Sequence, residues 1–223
     1  MNDTWSLDDY NKAKEWLQDR GYFYLRADIL IPEQVINEAM ALYEHGGYFI
    51  AHRASHGKGW HSCTLHGEAS NITTYNPEAK PFYRWTEIAK LAPVMTDWLK
   101  NTFPNSGTYG RCRFMLLEPG GFIRNHTDTH QWKEGMELKN DITSAINIAI
   151  TQPDNCYLRN SETLEEVPFQ PREVYWFNNG PFHEAANFSN KPRIHFIVHG
   201  GNCEDRMRLF MKSFYKEHPD AII

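Results

Sequence analysis

The chain has 223 residues, 41% hydrophobic and 23% charged, a length that fits one domain and a composition that excludes a disordered chain or an extended coil. Its formal charge is -5, with Lys and Arg scattered along the sequence, so there is no basic stripe and no nucleic acid is expected as a partner. No apolar run of about eighteen residues is present to span a membrane, and Asp8, Asp9, Lys12, Lys14, Glu15 and Asp19 break up any signal-peptide core in the first twenty residues.

The first predicted element is a helix. Ser6-Leu-Asp-Asp9 reads as a capping box, Tyr10, Ala13, Trp16 and Leu17 recur at helical spacing, and Gly21 stops it. A second helix starts with Pro32 at its first position and carries Val35, Ala39 and Leu42 on one face before Gly46-Gly47. Residues 48–81, rich in Gly, His, Ser and Asn without a clear period, read as a long loop of the functional kind. A third helix is expected from Thr86 to Thr102, burying Ile88, Leu91, Met95, Trp98 and Leu99, with a bend at Pro93.

From Tyr109 the pattern changes to strands. Arg111–Leu117, Thr143–Ile150, Glu173–Phe177 and Arg193–Val198 are short, rich in β-branched and aromatic residues, and set apart by Gly, Pro and Asn turns. Glu204–Glu217 reads as a closing helix with Met207, Phe210, Met211 and Phe214 inward. The expected fold is α+β, a double-stranded β-helix (jelly-roll or cupin-like) core with helices packed outside. One domain is expected, with helical support over 1–105, the catalytic core over 106–203 and the closing helix over 204–223. The four cysteines, Cys63, Cys112, Cys156 and Cys203, form no Cys-x-x-Cys pair, which fits reduced thiols and a cytoplasmic location. Asn125 and Asn187 each begin an Asn-x-Ser/Thr sequon, which an intracellular protein would leave unmodified.

On an extended strand residues i and i+2 share a side, so His126 and Asp128 can reach one ion, and His183 from a distant strand would complete two nitrogens and one carboxylate. That set leaves open positions, as non-haem ferrous oxygenases require; zinc is the alternative occupant. With eleven His and twenty-eight acidic residues, a His-x-acid triplet arises about once by chance, and His66-Gly-Glu68 is a competing one. Context separates them. Leu117-Glu-Pro-Gly-Gly121 reads as a turn that delivers Phe122–His126 as a strand, Asn178-Asn-Gly-Pro181 leads to His183, and Arg193 follows ten residues later behind Asn187-Phe-Ser-Asn-Lys-Pro192. A guanidinium there offers a planar fork to a carboxylate.

Leu-Glu-Pro-Gly-Gly-Phe-Ile-Arg-Asn-His-Thr-Asp, Trp-Phe-Asn-Asn-Gly-Pro-Phe-His-Glu-Ala-Ala-Asn and Pro-Arg-Ile-His-Phe-Ile-Val together resemble the aspartyl/asparaginyl β-hydroxylase family of Fe(II)/2-oxoglutarate dioxygenases. The resemblance covers about residues 109–200, with Trp60 to Gly67 a further segment. It implies Fe(II) with 2-oxoglutarate and O2 as co-substrates, His126 and His183 as metal ligands, and Arg193 as the partner of the 2-oxoglutarate C5 carboxylate. Asp128 stands where the animal members have Gly, so the full triad is more similar to bacterial members, including related proline hydroxylases. The family's Arg and His at the other end of 2-oxoglutarate correspond to Ala145 and Asn147, of which only Asn147 is polar. The implied reaction hydroxylates a free amino acid or an amino-acid residue in a peptide or protein. The alternatives are a cupin-like metal enzyme that does not use 2-oxoglutarate and a non-catalytic metal- or ligand-binding module.

His195, two residues from Arg193, faces the same way and is either a contact of the co-substrate or a hydrogen-bonded core histidine. Trp60, His66 and Arg113 are substrate-side candidates. For Arg111 and Arg113, alternating with Cys112 and Phe114, the competing reading is a solvated outer sheet face. Trp176 and Phe177 read as packing, and His130 and His199 as surface residues.

Overall fold

The computed structural model describes residues 4–72, 83–104, 109–128, 145–200 and 203–223. In chain order the elements are α1 (Leu7–Asp19), β1 (Tyr24–Leu30), α2 (Gln34–Glu44), β2 (Ile50–Ala51), β3 (Gly57–Gly67), β4 (Arg84–Trp85), α3 (Pro93–Thr102), β5 (Tyr109–His126), β6 (Ile146–Thr151), β7 (Cys156–Asn160), β8 (Glu173–Phe177), β9 (His183–Asn187), β10 (Arg193–Gly200) and α4 (Glu204–Glu217). No helix among the described residues is long and apolar enough to cross a membrane. Residues 129–144, which include His130 and the expected strand start at Thr143, lie outside the described residues.

Local chemistry sets the helices. The Ser6 hydroxyl accepts from the Asp9 backbone N–H at 3.1 Å while the Asp9 carboxylate accepts from the Ser6 N–H at 2.8 Å, the reciprocal cap read from the sequence. The expected helix from Thr86 is in fact two pieces: a 3-10 turn over Glu87–Lys90, then α3 with Pro93 as its first residue. Pro93 does not bend a helix, because a proline pushes the residue before it out of the helical region, and Ala92 sits at φ -127, ψ 62. Glu38 from α2 supplies the cap that Ala92 lacks, its carboxylate accepting from the N–H groups of Val94 at 2.7 Å and Met95 at 3.0 Å. Pro32 stands two residues ahead of α2 and not within it.

The strands form an antiparallel sheet in the order β1-β8-β6-β10-β5-β3-β2. Its eighteen-residue β5 also belongs to a second, smaller layer: Cys112–Leu117 pair with β10, whereas Phe122, Ile123 and His126 pair with β9, which in turn pairs with β7. The segment read as a turn, Leu117–Gly121, is thus a continuous strand that bends between layers, with Gly120 at φ +70. This doubling back is the double-stranded β-helix.

The long loop expected over 48–81 is the main correction. It contains β2 and the eleven-residue β3, which runs beside β5 across the bend. Both faces of β3 are buried from Ser62 onward, but its polar/apolar alternation is confined to Ser62-Cys-Thr-Leu-His66 among glycines and histidines, with little of the β-branched and aromatic enrichment by which a strand is read. Its glycines serve close approach: a Cβ on Gly57 would lie 2.1 Å from the Phe122 carbonyl oxygen.

Alternation then sorts the large sheet. Phe114, Leu116, Ile146, Ile148, Ile194, Phe196 and Val198 face outward into a core shared with Leu17, Val35, Leu42, Met95, Leu99, Phe210, Met211 and Phe214 from the four helices. Each such side chain contributes about 1.5–3 kcal/mol on burial. Trp176 belongs to this core. The opposite face carries Arg113, Met115, Leu117, Asn147, Ala149, Arg193, His195 and Ile197 into the space between the layers, and the apolar end of that space is filled by Leu117, Ala149, Leu158, Phe169 and Phe177.

Candidate active site

His126 is the last residue of β5 and His183 the first of β9, and the two are directly paired. Their rings stand 4.4 Å apart, centroid to centroid. Asp128 follows two residues after His126 and is tied down by the Asn178-Asn-Gly turn: its N–H donates to the Asn179 carbonyl at 3.2 Å, and the Asn179 amide donates to its Oδ2 at 3.3 Å. Thr127 adds a hydroxyl bond to the Gly180 carbonyl at 2.8 Å. The turn residues that marked this segment in the sequence therefore stitch the carboxylate to the histidine strand.

One ligand atom from each of His126, Asp128 and His183 lies within 4.8 Å of the others; no other such group of three or more occurs among the described residues. His126 Nε2 is 3.7 Å from Asp128 Oδ1, and His183 Nε2 is 4.0 Å from Asp128 Oδ2. Each imidazole uses its far nitrogen on a backbone carbonyl, His126 Nδ1 on Arg124 at 2.7 Å and His183 Nδ1 on Pro181 at 3.0 Å. With the proton held on Nδ1, the Nε2 lone pair of each ring points at the carboxylate, the arrangement of a metal-ligating histidine. Burial, and then the neighbouring His126, push the His183 pKa below the usual imidazole range against the opposing pull of Asp128 and the Pro181 bond. The donor set fits a divalent iron. The competing triplet does not: His66 Nδ1 bonds the Gly110 carbonyl at 2.7 Å and its ring packs on Trp85 at 4.8 Å, six residues along β3 from Trp60, roughly 20 Å at the rise of a strand.

A cavity opens beside the triad, lined among others by Trp60, Met115, Ile123, Asn147, Phe177, Arg193, His195 and Ile197. Trp60 is at its edge, its ring 6.5 Å from His126, and Phe177, read as packing, also lines it. Arg193 is buried within it. Its Nε donates to Gln152 Oε1 at 3.1 Å, its guanidinium lies over the Phe169 ring at 5.7 Å, and no carboxylate of the described residues pairs with it. Burial lowers its pKa to about 10, partly opposed by Cys156, which leaves it charged near neutrality. A buried cation without a counterion is costly, so this position is built for an incoming anion.

Behind it, His195 is both of the things the sequence allowed, a hydrogen-bonded core residue and part of the cavity wall. Burial, then Arg193, hold it neutral, so only one ring nitrogen carries hydrogen. Gln152 has a fixed orientation, since its Nε2 donates to the Cys156 carbonyl at 2.9 Å and its Oε1 accepts from Arg193. His195 Nε2–H therefore donates to Gln152 Oε1 at 2.8 Å, and Nδ1 is an acceptor. His195 Nδ1 lies 2.7 Å from Asn147 Oδ1 and 3.4 Å from a terminal guanidinium nitrogen of Arg193. Gln152, just past the end of β6, was not among the residues singled out from sequence; no motif marks it. Arg113 is 3% exposed, so the solvated outer-face reading of this arginine is overturned. Ala145 is buried, His199 is partly buried, and Asn187 is fully buried, its amide donating to the Leu117 and Lys191 carbonyls at 2.8 Å each, so its sequon cannot accept a glycan in the folded chain.

Two histidines and a carboxylate at the mouth of a double-stranded β-helix, with a buried arginine deeper in, define the class of non-haem iron oxygenases. The sequence profile of the Aspartyl/Asparaginyl beta-hydroxylase family matches residues 32–201, and the chain belongs to that family. As a member it is an Fe(II)- and 2-oxoglutarate-dependent hydroxylase. No curated protein matches the chain. Similar solved structures include a Pseudomonas putida prolyl-4-hydroxylase (13% identity, 84% of this chain and 97% of that one, TM-score 0.46). A Burkholderia pseudomallei oxidoreductase of the 2OG-Fe(II) oxygenase family is 11% identical over 86% and 92% of the chains at TM-score 0.49. The collagen prolyl hydroxylase of Paramecium Bursaria Chlorella virus-1, in complex with 2OG, is 9% identical over 80% and 96% at TM-score 0.46.

Proposed function

We propose that His126, Asp128 and His183 hold the iron and that Arg193 binds the distal carboxylate of 2-oxoglutarate, in a cytoplasmic hydroxylase acting on an amino acid, free or within a peptide. The observation that carries the reading is the pairing of an oriented triad with a buried guanidinium that meets no carboxylate among the described residues, on the same cavity. When bound, ferrous iron with 2-oxoglutarate and O2 supplies C–H hydroxylation coupled to formation of succinate and CO2. The chain's own residues do the rest. Arg124 and Pro181 carbonyls fix the imidazole tautomers, Gln152 and His195 hold the guanidinium in place, and Asn147 lines the cavity with an amide. Leu117, Phe169 and Phe177 keep the deep end apolar and water out.

The test is succinate formation with Fe(II), O2 and 2-oxoglutarate over a panel of amino acids and short peptides. Substrate-stimulated succinate is expected in the wild type and absent in Asp128→Ala. Metal binding without any 2-oxoglutarate turnover would support the alternative of a metal enzyme or binding module that does not use this co-substrate.

A further inference from the structure

The roles above leave Trp60, at the cavity edge, without one. On a regular strand Lys58 and Trp60, two residues apart, would share a side. On β3 they do not: Lys58 is exposed and pairs with the exposed Phe122, whereas Trp60 pairs with the buried Leu117, on the rung that Arg193 completes from β10. The irregularity between them falls on Gly59, at φ +65, where a Cβ would lie 3.0 Å from the Glu118 side chain. A bulge of this kind re-aims the neighbouring side chain. Here it turns the half-buried indole into the cavity, its ring 6.5 Å from that of His126. Two contacts hold it there. The Trp60 carbonyl accepts from the His52 N–H at 2.8 Å, and the buried His52 ring stands edge-on to the indole at 4.4 Å.

Most of the cavity wall is aliphatic, and strong C–H bonds of that kind resist oxidation. Two other lining residues compete with Trp60. Met115 is 6% exposed and stands one rung further from the bend, about 7 Å back along β5 at the rise of a strand. The Phe177 ring is 5.5 Å from that of His183, but a plain benzene ring has no heteroatom to feed electrons into it. Indole is the most electron-rich aromatic side chain. Resting on the assignment of the triad to iron and of Arg193 to 2-oxoglutarate, we propose that Trp60 is a self-hydroxylation site. In turnover without substrate, the oxygen atom otherwise bound for a substrate C–H enters a C–H bond of the Trp60 indole. The balance is that of the proposed reaction: indole C–H, O2 and 2-oxoglutarate give hydroxyindole, succinate and CO2. One atom of O2 ends in the new hydroxyl, which keeps the hydrogen of the broken C–H, and the other ends in succinate. Two electrons come from the C–H and two from the oxidative decarboxylation of 2-oxoglutarate, which together reduce O2 fully.

The experiment uses the full chain loaded with Fe(II) and titrated anaerobically with 2-oxoglutarate, followed by the metal-to-ligand charge-transfer band. The saturated sample is then exposed to heavy-isotope O2 with no other substrate. Trypsin cuts after Lys58, so the peptide that begins at Gly59 carries Trp60, and mass spectrometry locates the added oxygen residue by residue. One labelled atom should appear on Trp60, at least threefold more often than on any other residue, and only when iron, 2-oxoglutarate and O2 are all present. Trp60→Phe should lower the labelled oxygen taken up by the whole chain at least threefold. If that variant does not fold, the wild-type map decides alone. Label concentrated on Met115, Phe177 or any other residue, label that forms without 2-oxoglutarate, or a band followed by no label overturns the self-hydroxylation of Trp60. A wild type with no band at all overturns instead the reading of the triad and Arg193 on which it rests.

Discussion

Histidine by histidine, the site is prepared through the nitrogen that does not face the cavity. Nδ1 of His126 and of His183 each holds a backbone carbonyl, which costs nothing at the moment of metal binding and fixes which nitrogen is presented. The same economy operates at Arg193, where Gln152 grips Nε and leaves the guanidinium edge toward the cavity. Arg193→Met should raise the 2-oxoglutarate dissociation constant about 10- to 100-fold, the range for a hydrogen bond to a charged group at roughly 1.5–3 kcal/mol. Gln152→Leu should raise it severalfold with the iron site intact, as read by the same anaerobic titration. The candidate residues His126, Asp128, His183 and Arg193 could be singled out in the sequence because Gly, Pro and Asn residues flank each of them. Gln152 and His52 could not, because their significance arises only from which strands lie side by side.

At the level of elements, the fold depends on one long strand that changes partners. β5 pairs with β10 before the bend and with β9 after it, and β3 accompanies it on both sides with glycines at the tightest approach. Gly57→Ala should destabilise the protein by roughly 1–3 kcal/mol through overpacking against Phe122, a fall in Tm of roughly 2–12 °C for a chain of this size. An unchanged Tm would mean that the bend tolerates a wider spacing. The helical faces were legible in the sequence except for Leu91, which is exposed and not buried as expected. Strands rich in β-branched and aromatic residues and flanked by turn signals, β5, β6, β8 and β10, were legible too, whereas β1, with its alternate residues exposed, was not singled out. β3 was not, because a polar inner face and an apolar outer face are both buried in it and nothing in its composition distinguishes it from a loop. The Pro93 boundary was misjudged for a different reason: proline is compatible with a bend and with a start, and only the preceding Ala92 backbone decides.

For the molecule as a whole, placing a polar site inside the β-helix makes stability depend on pH. Burial, reinforced by Arg113, Arg53 and Arg111, lowers the His52 pKa to about 2, and burial with Arg193 holds His195 well below the usual value. In the unfolded chain both titrate near 6.5. The unfolded state therefore binds more protons below that pH, so the stability from these groups is complete above about pH 6.5 and is lost as the pH falls. The loss approaches about 1.4 kcal/mol per pH unit for each residue. Thermal unfolding with a chelator present should show Tm falling from pH 7 to pH 5, and His52→Gln should make that slope shallower; an unaltered slope would show that His52 is protonated in the fold. The arrangement as a whole brings an oriented triad and a buried arginine to one cavity between the two layers, and the most direct test of it is anaerobic titration of the Fe(II)-loaded protein with 2-oxoglutarate. A saturable charge-transfer band is predicted, absent in Asp128→Ala and shifted to higher 2-oxoglutarate concentration in Arg193→Met. Tight iron binding with no response to 2-oxoglutarate would contradict it.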